Sequence, residues 1–111
     1  SNCLTIDMTD TYGDGWNGNI YEIVDLSSSA IVATGTLEDG LSGMAIECLD
    51  AGCYEFRINT ENGFWLQEVG WSIDGADQSG LSGDVDAVAS FSIGGGAAAP
   101  APLGPLQPLL A

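Results

Sequence analysis

The run Cys53-Tyr-Glu-Phe-Arg-Ile-Asn59 places Tyr54, Phe56 and Ile58 on one face of an extended chain and Glu55, Arg57 and Asn59 on the other. A helix scatters the same residues around its circumference, so this segment folds usefully only as a half-buried strand. Shorter alternating runs recur along the chain. Leu4, Ile6 and Met8 share a face of a first strand. Tyr21 to Asp25 reads as a second, with Ile23 pointing in, and Ala30-Ile-Val-Ala-Thr-Gly-Thr-Leu37 as a third, with Gly35 as a bulge. Met44, Ile46 and Cys48 alternate with Ala45 and Glu47. Phe64 to Asp74 carries Trp65, Val69, Trp71 and Ile73 as a strand or strand pair, and Val88 to Ile93 closes the series.

No segment sustains an i, i+3, i+4 apolar pattern, and sixteen glycines interrupt the chain. The expected fold is therefore all-β: an antiparallel two-sheet sandwich, jelly-roll or immunoglobulin-like, of about seven strands. Glu38-Asp-Gly40, Asp50-Ala-Gly52 and Asn62-Gly63 supply turn chemistry for hairpins. At 111 residues there is one core, with residues 1–94 as the sandwich and 95–111 as a tail.

Between the first two strands lies Asp10-Thr-Tyr-Gly-Asp-Gly-Trp-Asn-Gly-Asn19, which packs three glycines and four Asp or Asn residues into ten positions. Such a segment bends tightly and gathers oxygen donors, as a hard cation requires. Asp10, Asp14 and Gly15 fall at the spacing of EF-hand positions one, five and six. Tyr12 occupies a ligand position, however, and Tyr21 stands where the bidentate glutamate belongs, so the loop is not an EF-hand. Asp7, Asp10, Asp14, Asn17, Asn19 and Glu68 are the candidate ligands for a calcium ion at the sandwich edge. The competing reading is a structural turn, with Asp and Asn side chains bonded to nearby amides and Trp16 capping the core. Trp16, Phe64 and Trp65 are candidates for a sugar- or surface-binding patch, the last two at a hairpin tip.

Charge and inventory exclude several functions. Sixteen acidic residues oppose the single basic residue Arg57, a net charge of −15, which argues against nucleic acid and anionic membranes as partners. With no histidine and no lysine, Ser-His-Asp and Cys-His catalysis, His-ligated zinc, Schiff bases and P-loops are all ruled out. The chain is expected not to be an enzyme. Three cysteines, Cys3, Cys48 and Cys53, point to an oxidising compartment with one disulfide and one thiol left over. Cys48–Cys53 would close a turn; Cys3 paired with either would pin the first strand. No N-x-S/T sequon occurs. The sequence begins next to a strand without a signal peptide or membrane span, as a processed secreted protein would.

From Gly94 onward charge disappears and proline and leucine dominate. Pro102, Leu103, Pro105, Leu106, Pro108, Leu109 and Leu110 make the tail too apolar for a solvating linker, and proline favours a stiff polyproline II form with a low ordering cost. A tail of this kind is expected to be buried on a neighbouring copy, which gives head-to-tail assembly.

Cys3-Leu-Thr-Ile-Asp-Met-Thr-Asp-Thr-Tyr-Gly-Asp-Gly-Trp-Asn-Gly-Asn19, then Glu47-Cys-Leu-Asp-Ala-Gly-Cys-Tyr54, then Trp65-Leu-Gln-Glu-Val-Gly-Trp71 resembles a family of secreted modules with a D-x-Y-G-D-G-W-N-G signature, found in extracellular proteins of aquatic microbes and algae. The matching loop residues are Asp10, Tyr12, Gly13, Asp14, Gly15, Trp16, Asn17 and Gly18. The chain departs in having Ala51 inserted before Gly52 and Gly70 in place of a usual serine. The resemblance covers about the first 93 residues. It implies a secreted β-sandwich and no particular activity. The combined expectation is an extracellular structural subunit that assembles with copies of itself through the tail. The alternative is a calcium-dependent module binding glycans or cell-surface material.

Overall fold

A computed structural model describes residues 2–76 and 78–94. Eight strands form: β1 (Cys3–Asp10), β2 (Ile20–Asp25), β3 (Ala30–Gly35), β4 (Ser42–Cys48), β5 (Gly52–Asn59), β6 (Val69–Gly75), β7 (Gln78–Asp84) and β8 (Ala89–Ile93), with a 3₁₀ turn at Leu66–Glu68 before β6. They make two four-stranded antiparallel sheets, ordered β4-β1-β6-β7 and β3-β2-β5-β8. No helix among the described residues is long and apolar enough to cross a membrane.

The alternating runs explain the core. Leu4, Ile6 and Met8 of β1 and Val69, Trp71 and Ile73 of β6 pack against Tyr21 and Ile23 of β2, Tyr54 and Phe56 of β5, and Phe91 and Ile93 of β8. Phe56 meets Trp71 across the two sheets with ring centroids 4.4 Å apart. Burying each of these large side chains contributes roughly 1.5–3 kcal/mol.

β7 lies beside β8, so the opposite side of the sandwich is formed by the open edges of β4 and β3. The hydroxyl of Tyr21 on β2 crosses between the sheets there to donate to Glu47 of β4.

Four expectations need correction. There are eight strands rather than seven, because β7 reads Gln-Ser-Gly-Leu-Ser-Gly-Asp and shows almost no apolar alternation. Among the described residues only β2–β3 and β6–β7 are hairpins. The turns at 38–40, 50–52 and 62–63 instead carry the chain from one sheet to the other. The irregularity in the β2–β3 pairing falls at Ile23/Val24 and not at Gly35. Gly35 lies over the Tyr21 ring, where a β-carbon would come within 2.6 Å of it. Finally, β1 pairs with β4 and β6 and not with β2, so the strand order is not that of an immunoglobulin domain.

Cys3 and Cys48 oppose each other in the β1–β4 register and form a disulfide, while Cys53 is a buried free thiol. The bridge closes a sequence separation of 45 residues. It fastens the edge strand β4 to the centre of its sheet. The tail residues Pro102, Leu103, Pro105, Leu106, Pro108, Leu109 and Leu110 lie outside the described residues.

Candidate functional site: the Asp10–Asn19 loop

The loop leaves β1 at Asp10, whose side chain turns inward with the same parity as Leu4, Ile6 and Met8. Asp10 Oδ2 accepts hydrogen bonds from the amides of Gly13 at 2.8 Å and Asp14 at 2.7 Å, which forces the chain to fold back. Gly15 then takes a left-handed φ of +85°, with a β-carbon position only 2.6 Å from the Glu38 carbonyl; only glycine fits. This close approach lets Gly15 and Trp16 donate to the Gly40 and Leu37 carbonyls at 3.2 and 2.8 Å.

Trp16 is 1 % exposed and donates its Nε1 proton to the Thr9 carbonyl at 2.9 Å. It is a core residue, which removes it from the surface-binding candidates. Trp16 sits where the structural-turn reading puts it and Asp10 bonds nearby amides as that reading has it, whereas Asn19 bonds carbonyls instead. Asn19 is buried and donates through Nδ2 to the carbonyls of Trp16 at 2.7 Å and Phe64 at 2.9 Å. That second bond ties the loop to the segment before β6, and Thr11 bonds the Glu68 carbonyl at 3.3 Å.

The ties bring Glu68 to the loop. One carboxylate oxygen each from Asp10, Asp14 and Glu68 lies within 4.8 Å of the others. Of the six candidate ligands these three converge. Asp7 lies on the outer face of its sheet, opposite Met44 and Ser72. Asn19 commits its Nδ2 to backbone carbonyls, and its Oδ1 lies buried without a hydrogen-bond partner against Gly63. Asn17, with its amide turned to donate, reaches Asp14 Oδ1 at 3.3 Å.

The electrostatics follow from crowding. Desolvation raises the Glu68 carboxyl above its usual range, reinforced by its hydrogen bond with Asp10 and the charges of Asp10 and Asp14. Desolvation acts upward on Asp10 as well, but hydrogen bonds from Glu68 and from the Asp14 and Gly13 amides outweigh it and hold that carboxyl low. The crowding thus disfavours a further negative charge at Glu68.

Beside the carboxylates lies a pocket of about 220 Å³ lined by Tyr12, Asp14, Trp65 and Glu68. Trp65 has a left-handed φ of 56° and is 59 % exposed; Phe64 and Tyr12 are exposed as well. No protein-family model, curated protein or solved structure matches the chain. What the site can do chemically is therefore read from its own residues: a cup of oxygen acceptors beside an aromatic rim.

One set of exposed side chains escaped the sequence reading. Ile31 and Val32 on β3 and Met44 and Ile46 on β4 are all exposed, Met44 to 64 %. Their signal in the sequence is Ala30-Ile-Val-Ala-Thr-Gly35, a strand with no charge to keep a partner away.

Proposed function

We propose that the chain is a non-enzymatic extracellular structural subunit that assembles with copies of itself, residues 95–111 of one copy covering the β3/β4 side of the next. The observation that carries this reading is that apolar side. An open strand edge is a template for pairing, and monomeric proteins blunt it with lysine, proline or other charge. β3 has none of these, and the one charged residue of β4, Glu47, is engaged by Tyr21. Ile31 and Val32 stand exposed on β3, and Met44 and Ile46 on β4, the latter two on the outer face that also carries Asp7. A groove of about 400 Å³ opens beside β3, lined by Val32, Leu49, Ala51 and Tyr54 and rimmed by the polar Asp25 and Asp50.

The tail has the complementary character. Leu103, Leu106 and Leu109 recur every third residue, as do Pro102, Pro105 and Pro108. Three residues is the repeat of polyproline II, so one face of such a helix would be all leucine. β8, from which the tail continues, lies at the far side of the sandwich from the β3/β4 edge. Donor and receptor surfaces are then different, and a heterologous contact of that kind closes into a ring or propagates into an open filament. The disulfide and the resemblance to secreted modules support an extracellular setting.

Sedimentation velocity and electron microscopy of the full chain, beside a chain ending at Gly94, test the proposal. Large particles from the full chain alone support it; equal assembly by both sinks it. A second reading, a calcium-dependent module for glycans or cell-surface material, is favoured by the exposed Tyr12, Phe64 and Trp65 around the loop pocket. Glycan arrays probed with monomeric protein in calcium separate it from the first.

A further inference from the structure

The floor of the Asp10–Asn19 loop holds the most unsatisfied chemistry among the described residues, and it stands apart from the assembly edge. Asp10 is 2 % exposed, and its Oδ1 is buried with no hydrogen-bond donor. Glu68 Oε1 is buried and, when both carboxyls are ionised, equally without one. Buried carboxylate oxygens left unpaired are costly, and native proteins rarely keep them without a partner. Here the two side chains converge on each other and on Asp14, with ligand atoms within 4.8 Å. The chain's single basic side chain, Arg57, is occupied elsewhere by Glu22 and Glu55.

We propose that Asp10, Asp14 and Glu68 together bind one divalent metal ion, calcium in preference to magnesium. The donors are all oxygen, which selects hard cations over zinc or copper. Three protein oxygens leave at least three of calcium's six to eight positions to water, and the adjoining pocket of about 220 Å³ supplies the room. Magnesium demands a near-ideal octahedron at shorter distances, which three carboxylates on separate segments match less well. An open site of this kind belongs with weak extracellular calcium sites, with a Kd of about 10⁻⁴–10⁻³ M. The ion would also link β1, the loop and the 3₁₀ turn, joining segments 58 positions apart in the chain, from Asp10 to Glu68.

The test is isothermal titration of chelator-treated full chain with calcium chloride alone, then magnesium chloride, with light scattering followed in parallel so that binding and assembly are read separately. Thermal melts accompany each titration. The expected result is one calcium per chain in the stated range, a melting temperature several degrees higher at 10 mM calcium, and weaker magnesium binding. Glu68→Gln and Asp14→Asn should each weaken calcium binding at least tenfold with an unchanged circular dichroism spectrum. Asp74→Asn, an exposed carboxylate on the outer face of the other end of β6, should leave it unaltered. No saturable heat and no thermal shift at 10 mM calcium would overturn the proposal. So would equal losses from Asp74→Asn and Glu68→Gln, which would mark diffuse binding to an acidic surface.

Discussion

The Asn19 carboxamide lies directly over Gly63, where a β-carbon would come within 1.8 Å of Asn19 Oδ1. Asn19 is fully buried and holds the loop to the Phe64 carbonyl, so it has nowhere to move. Gly63→Ala should therefore force the amide out of place and break both of its backbone hydrogen bonds. The expected cost is about 2–3 kcal/mol, from overpacking together with lost buried hydrogen bonds. For a domain of this size that is a melting temperature lowered by roughly 10–20 °C, measured by calorimetry on the monomeric protein.

Cys3 and Cys48 restrain the unfolded chain over a 45-residue separation. Loop-closure entropy assigns such a bridge about 4 kcal/mol. Replacing both residues by serine should lower stability by up to that amount in chemical denaturation. Cys53→Ser alone should cost much less, since that buried thiol closes no loop.

A third prediction concerns acid. Glu22 is nearly buried on β2 and is held by Asn59 at 2.9 Å and by Arg57 at 2.9 Å. The Asn59 hydrogen bond, opposed by desolvation and aided by the Arg57 bond and charge, keeps its carboxyl below the ordinary value of 4.5. A carboxyl whose pKa is lower folded than unfolded stabilises the fold above the unfolded value. That contribution is lost as pH falls through the folded one. Stability should thus decline as pH drops below about 4.5, and Glu22→Gln should flatten that part of the pH profile. Denaturant midpoints taken between pH 6 and pH 3 check it.

How much of this was legible beforehand depended on whether a strand has one wet face. β1 and β5 alternate cleanly because one side meets the core and the other water, and Leu4, Ile6, Tyr54 and Phe56 point where alternation puts them. β7 escaped because its small polar residues leave no pattern to find. The crossing turns were misread because Gly and Asp dictate a local bend, whereas the destination sheet is set by which apolar face needs cover. At the loop, Asp and Asn types marked the place. Which of them converge depended on backbone bonds from Asp10 Oδ2 and Asn19 that no spacing rule contains. For Trp16 the polar neighbours left a surface aromatic and a core cap both open; its ring turns inward and donates to the Thr9 carbonyl.

The assembly proposal is tested most directly by replacing Leu106 with a photoreactive diazirine leucine in the full chain. Assemblies made from an equal mixture of ¹⁵N-labelled and unlabelled protein are irradiated and mapped by mass spectrometry. The account predicts mixed-isotope crosslinks from position 106 to Ile31, Val32, Met44 or Ile46. Crosslinks confined to one isotope, or none to the β3/β4 side, would contradict it.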